Sequence, residues 1–134
     1  MDDIDREIVS ILRRDGRRSY TDIADDLNVS EGTVRNRVKR MKEEGDIQKF
    51  TVITSGEGMG ALVMTKVSTE RDISEVVEEL PEDTEIHEIA GDYDIVVKIF
   101  REDKNELNDE IDSIREIEGV KETRTYSVLK SHYL

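Results

Sequence analysis

"SYTDIADDLNVSEGTVRNRVKRMKEEG", residues 19–45, decides how the N-terminal part of this chain is built. Ser19 offers a helix N-cap, Ile23, Ala24 and Leu27 recur at helical spacing, and Asn28 closes a short helix. A three-residue turn follows. Ser30 then caps a second helix with Val34, Val38 and Met41 on one face, and Gly45 stops it. Upstream, "DDIDREIVSILRRDG", residues 2–16, places Ile4, Ile8, Ile11 and Leu12 at i, i+4, i+7 and i+8, one face of another helix. Asp2 or Asp3 can cap it, and Asp15-Gly16 can end it. Two helices joined by a tight turn, with a third packed across them, are the elements of a helix-turn-helix.

Within this segment "GTVRNRVKRMK", residues 32–42, carries five Lys/Arg and no acid, in a chain of net charge −13. At 100° per residue, Val34, Val38 and Met41 face the other helices. Thr33, Arg35, Asn36, Arg37, Lys39 and Arg40 fall on the flanks and outer face. Major-groove readout needs such a face: Arg donates two hydrogen bonds to guanine, Asn pairs bidentately with adenine, and Thr offers a hydroxyl or a methyl. Lys39, Arg40 and Lys42 suit phosphates, which position a protein without reading sequence. Arg17 and Arg18, ahead of the short helix, extend the backbone contact, and Ser30 completes the candidate DNA-binding set at the helix start. A merely solvated helix would mix acids among these bases, since acids outnumber bases in the chain as a whole.

The 134 residues suffice for one ordinary domain or two small ones, with 35 % hydrophobic and only 4 % aromatic residues. Two small aliphatic cores would each be marginal, so oligomerisation is expected. With no Cys, disulfides, thiolate nucleophiles and Cys-based zinc sites are excluded. The N-terminus is charged from its second residue, and no stretch approaches the roughly 18–20 apolar residues of a membrane span. The expected location is the cytoplasm. Residues 1–54 carry a net charge of −1 and residues 55–134 of −12, the asymmetry of a polyanion-binding head on an acidic body. Clusters such as "EVVEELPEDTE" read as solvated faces, as in a cytoplasm of very high salt.

After residue 46 the period changes. "DIQKFTVITS" alternates and is rich in β-branched residues, so a strand is expected around 47–54, and "GEGMG", 56–60, is the linker candidate. "ALVMTKVS" reads as a strand and "DISEVVEEL" as a helix ended by Pro81. "EIHEIA" and "DIVVKIF" are strands around Gly91-Asp92-Tyr93. "KNELNDEIDSIREI" is a helix, with Leu107, Ile111 and Ile114 inward, and "VKETRTYSVLK" is a last strand. The order β-α-β-β-α-β is ferredoxin-like: a four-stranded antiparallel sheet with helices on one face. A second subunit is the expected cover for the other face. The expected fold class is therefore α+β, with a plain or winged helix-turn-helix head over 1–46, a strand and linker over 47–60, and a ferredoxin-like domain over 61–134.

The first half resembles the N-terminal half of the Lrp/AsnC, or feast/famine, family of transcriptional regulators. Asp15, Gly16, Arg17, Ser19, Ala24, Leu27, Ser30, Thr33, Val34, Arg37, Met41, Gly45 and Ile47 fall where that family's pattern asks. The second half resembles the family's regulator-of-amino-acid-metabolism domain, whose signature here is "AGDYD" at 90–94. The resemblance implies homodimers assembling into tetramers or octamers, binding to spaced half-sites on double-stranded DNA, and amino-acid effectors at interfaces between dimers. It also implies that the strand at 47–54 pairs with its counterpart across the dimer. The effector role falls on Gly91, Asp92, Tyr93 and Asp94, and on Thr123, Thr125 and Ser127 of the last strand. Gly91 would let the backbone approach an effector carboxylate, while a side-chain carboxylate holds its ammonium. A tight turn between strands would need the same Gly-Asp chemistry without any ligand. The chain departs from the family in being somewhat shorter and far more acidic.

Two other readings stay open at this point. Sirohaem decarboxylases share the two-part architecture, but they need basic or His side chains around a tetrapyrrole, and only His87 and His132 are present. A nonspecific, architectural DNA binder, or an effector-sensing partner of related regulators, would keep the same basic helix. No catalytic residue, metal ligand or cofactor is expected.

Overall fold

The computed structural model describes residues 1–54 and 58–133. It forms two compact units, one ending at Ile53 and one beginning at Thr54.

The first unit holds α1 (Asp3–Arg14), α2 (Tyr20–Leu27) and α3 (Glu31–Glu44). Each helix starts where a side chain can take up an orphan N–H. The Asp2 carboxylate accepts from the Asp5 N–H while the Asp5 carboxylate accepts from the Asp2 N–H, a capping box. Ser19 and Ser30 accept from the Asp22 and Thr33 N–H groups. Asn28 and Gly45, both left-handed, end α2 and α3. Ile8, Ile23, Ala24, Val34, Val38 and Met41 form the buried core.

Within a single chain residues 48–54, where a strand is expected, carry no strand. The Ile47 N–H donates to the Met41 carbonyl at 3.0 Å and closes α3; beyond it Phe50, Val52 and Ile53 are exposed. β-branched alternation supplies propensity, but a strand also needs a ladder partner, and the partner implied for this segment is its own counterpart in a second copy. Within one chain the head consists of the three helices of a helix-turn-helix.

The second unit runs β1 (Met59–Val67), α4 (Ile73–Glu78), β2 (Glu85–Glu88), β3 (Ile95–Arg101), α5 (Lys104–Glu116) and β4 (Val120–Val128). The sheet order is β2-β3-β1-β4, every pair antiparallel, which is the ferredoxin-like arrangement. Ala61, Val63, Val67, Ile95, Val97 and Ile99 face α4 and α5 and are buried with Val76, Leu107, Ile111 and Ile114. The opposite face presents half-buried Leu62, Met64, Val96 and Phe100 and exposed Tyr126, with Lys98 and Arg124 between them.

The linker expected at 56–60 needs correcting too. Residues 56 and 57 lie outside the described residues, but Met59 and Gly60 are the first residues of β1. Gly60 stands opposite Phe100, and a Cβ there would sit 2.2 Å from the Phe100 ring. This glycine makes room for an aromatic side chain from the next strand; it does not loosen the chain.

Candidate nucleic-acid interface and effector site

Asn36 and Lys39 stand exposed on α3, and Arg17 stands exposed ahead of α2. Among the described residues, none of these three side chains is drawn into an ion pair or a side-chain hydrogen bond, so all are free to meet a ligand. Lys42 lies over the Phe50 ring, 5.6 Å from its centroid. Arg35 remains mostly exposed but is paired with Glu31 one turn earlier and stacks 5.4 Å from the Tyr20 ring centroid. The hydrogen bond and charge of Glu31 hold that guanidinium more firmly protonated than usual. Arg18 reaches back to Asp26 at 2.7 Å. The Ser30 and Thr33 hydroxyls bond each other at 2.8 Å within the cap.

Helical spacing places Arg37 and Arg40 among the residues of the flanks and outer face, and the structure turns both toward α1. One Arg37 nitrogen lies 2.5 Å from an Asp2 oxygen and 3.1 Å from an Asp5 oxygen. Arg40 reaches the second Asp5 oxygen at 2.6 Å. Asp5 is 1 % exposed, the Arg37 side chain 22 % and the Arg40 side chain 47 %. The Arg37 hydrogen bond, followed by the Asp5 N–H, pulls the Asp2 carboxyl down to about 2, and the same contacts hold Arg37 charged. The sequence reading missed Asp5, although a signal was present. Asp5, Ile8 and Leu12 stand at i, i+3 and i+7, which places a carboxylate on the apolar stripe of α1. A charge buried there needs a cation, and α3 supplies two.

In the second unit the Asp94 carboxylate accepts the Val67 N–H at 2.8 Å, where the β1–β4 register shifts between Lys66 and Val67. Its own N–H donates to the Thr65 carbonyl and its carbonyl accepts from the Ile89 N–H. Asp94 is thus a bracket between the loop and β1, with one carboxylate oxygen engaged by the Val67 N–H. Tyr93 donates to Glu122 at 3.3 Å; burial and then the Glu122 charge push its phenol up. Gly91 and Asp92 are exposed. Thr123 accepts from Arg115 at 3.2 Å. Thr125 and Ser127 stand opposite Val63 and Ala61 on the helix side of the sheet. There they line a cavity of about 260 Å³ with Lys104, Leu107 and Asn108, and the Thr125 hydroxyl is buried without a partner. The expected effector residues therefore divide: Tyr93, Asp94 and Thr123 gather at the Thr65–Val67 end of β1, whereas Thr125 and Ser127 lie toward its start. Among the described residues no cluster of His, Cys, Asp or Glu could hold a metal ion, and no helix is long and apolar enough to cross a membrane.

Residues 1–42 match the AsnC-type helix-turn-helix domain, and residues 61–133 match the Lrp/AsnC ligand binding domain. The chain is 40% identical over 139 residues to the HTH-type transcriptional regulator FL11 of Pyrococcus furiosus, covering 98% of this chain and 91% of that one. It is 32% identical to the HTH-type transcriptional regulator LysM of Saccharolobus solfataricus, covering 99% and 96%. Among solved structures, it superposes with a TM-score of 0.74 on a feast or famine regulatory protein from M. tuberculosis complexed with L-methionine, at 25% identity over 99% of this chain and 95% of that one. The E. coli AsnC structure, at 24% identity, a TM-score of 0.70 and coverage of 100% and 95%, shares the fold.

Proposed function

The chain belongs to the Lrp/AsnC family and is a DNA-binding transcriptional regulator of that type rather than an enzyme; from that premise we propose that it reads a specific duplex sequence through α3 and that an amino acid shifts its assembly or its DNA affinity. The observation that carries the first half is the exposed, unpaired pair Asn36 and Lys39 on an acid-free stretch of α3. Asn36 supplies base-edge readout, with Arg35 beside it, while Lys39 and Arg17 supply phosphate contacts. The second half is supported by the relative complexed with L-methionine. Within this chain we assign the effector contact to Gly91, Asp92 and Tyr93, with Asp94 holding that loop to β1.

The assembly in this reading is a homodimer, built further into tetramers or octamers, in which a second copy covers the open sheet face around Leu62, Met64, Phe100 and Tyr126. An effector alters DNA binding only by binding one assembly more tightly than another, which an interface site allows.

Selection of duplexes from random DNA by the full chain, followed by footprinting, tests the reading. The expected result is a recurrent sequence protected as two spaced half-sites. Protection without sequence preference would replace it with the architectural binder.

A further inference from the structure

We propose that Arg37 is a positioning residue rather than a DNA contact, and that Asp5, buried beneath it, sets how α3 is presented to DNA. The inference rests on the reading of α3 as the DNA-reading helix and names what holds that helix in register.

Three donors converge on one buried carboxylate: Arg37 on one oxygen, and Arg40 and the Asp2 N–H on the other. Arg37 and Arg40 stand three residues apart, so they are neighbours on the same side of α3. The buried stripe of Val34, Val38 and Met41 sets which side of α3 faces the core, but apolar packing is non-directional and leaves its fine rotation and register to polar contacts. Two guanidiniums from one helix, locked on the two oxygens of one side chain, fix both its rotation and its axial register. The Asp2 carboxylate adds a second acceptor to Arg37 from the N-terminus of α1. Asn36 and Lys39 flank Arg37 on α3, so the pose of the reading face follows from this grip.

The same geometry argues against Arg37 leaving for a phosphate. Moving its guanidinium to DNA would strip Asp5 of one of its two cations while that carboxylate is 1 % exposed, and an uncompensated buried charge is strongly unfavourable. Arg40, at 47 % exposure, can keep its Asp5 contact and still present part of its guanidinium outward. Arg37, at 22 % exposure, holds two carboxylates through one nitrogen and has less surface to offer a ligand.

Phosphate contacts and positioning leave different signatures. A phosphate contact contributes about 0.9 to the slope of log affinity against log salt and acts on any duplex. A positioning residue affects the selected sequence and leaves the slope alone. The experiment measures the affinity of the full chain for a duplex selected from random DNA and for its scrambled version, across a KCl series. Arg37→Gln is expected to weaken the selected duplex by about tenfold or more, to leave the scrambled duplex within about twofold, and to leave the slope unchanged. Lys39→Gln, for comparison, lowers the slope by about 0.9. A slope loss of that size in Arg37→Gln, on both duplexes, would show a phosphate contact and overturn the proposal. So would unchanged binding to both.

Asp2→Asn keeps the test decisive if Arg37→Gln does not fold. It removes a negative charge from the head and frees one side of Arg37. Simple electrostatics therefore predicts tighter binding to both duplexes, whereas positioning predicts weaker binding to the selected one alone. Tighter binding to both overturns the proposal. A wild-type chain that selects no sequence removes the proposed function, and this inference with it, and is read before any variant.

Discussion

Asp5→Asn is the sharpest probe of the head. The substitution keeps the side chain's shape and can keep its cap, but it leaves Arg37 and Arg40 without the carboxylate between them. Breaking a fully buried pair from one side costs about 3–5 kcal/mol, whereas an exposed pair is worth about 0–1. Asp5 is 1 % exposed, but its cationic partners keep 22 % and 47 % of their surface in water. The expected loss is therefore intermediate, about 2–3 kcal/mol, a large share of what stabilises a small domain. Native-state hydrogen exchange in a urea series, read on peptides from residues 1–45, follows the head apart from the sheet domain. With a urea slope of about 1–2 kcal/mol/M, opening of α1–α3 shifts down by about 1–3 M urea. Asp3→Asn is the control: Asp3 pairs with Arg6 where the two side chains are 96% and 63% exposed, and its loss is expected within about 0.5 kcal/mol. A matching small loss for Asp5→Asn would refute the account of a buried ionic anchor.

Other consequences follow from the same contacts. Because Asp2 is held at about 2, below its ordinary 3.8, its share of head stability is fully present above about pH 4. That share is lost as the pH falls toward 2, so Asp2→Asn is expected to flatten acid unfolding in that window, and an unchanged acid profile would contradict the pairing. Gly119 has φ +96, and a Cβ there would lie 2.8 Å from the Arg71 side chain. Gly119→Ala should therefore lower stability by about 1–3 kcal/mol, read as a drop in the melting temperature; Arg71 can move aside but the positive φ remains, so an unchanged melt would contradict the left-handed backbone at Gly119. The Tyr93 phenol is pushed up by burial and by Glu122, so Glu122→Gln should bring its ionisation to lower pH in an absorbance titration, with Tyr93→Phe identifying the signal. No movement would place the cause elsewhere.

Much of the fold was legible because its signals are local. Ser19, Ser30, Asn28 and Gly45 mark helix ends through chemistry confined to a few residues, and the apolar stripes of α1–α3 coincide with the buried core. Reading stopped where a distant partner decides. The β-branched run at 47–54 has strand propensity but no ladder partner within its own chain, and Gly60 means little until Phe100 stands opposite it. Helical periodicity put Arg37 on the flank of the Val34–Val38–Met41 stripe, which left its direction open. Asp5 settles it, and Asp5 matters only once α1 and α3 are packed. On β4, alternation gives Thr123, Thr125 and Ser127 one face but does not say which face meets α5, nor that Arg115 would engage Thr123 while the Thr125 hydroxyl stays unpartnered. Asp94 reads as a ligand carboxylate because its signature sits in a loop; that one of its oxygens also serves the register shift in β1 is visible only once the strands are paired.

Fluorescence anisotropy on a selected duplex and its scrambled version, each with and without a mixture of the common amino acids, tests the central claim most directly. The account predicts tighter binding to the selected duplex by about a thousandfold or more, and a shift of that affinity when the mixture is added. Equal affinity for the two duplexes, or a selected-duplex affinity that the mixture leaves in place, would contradict it.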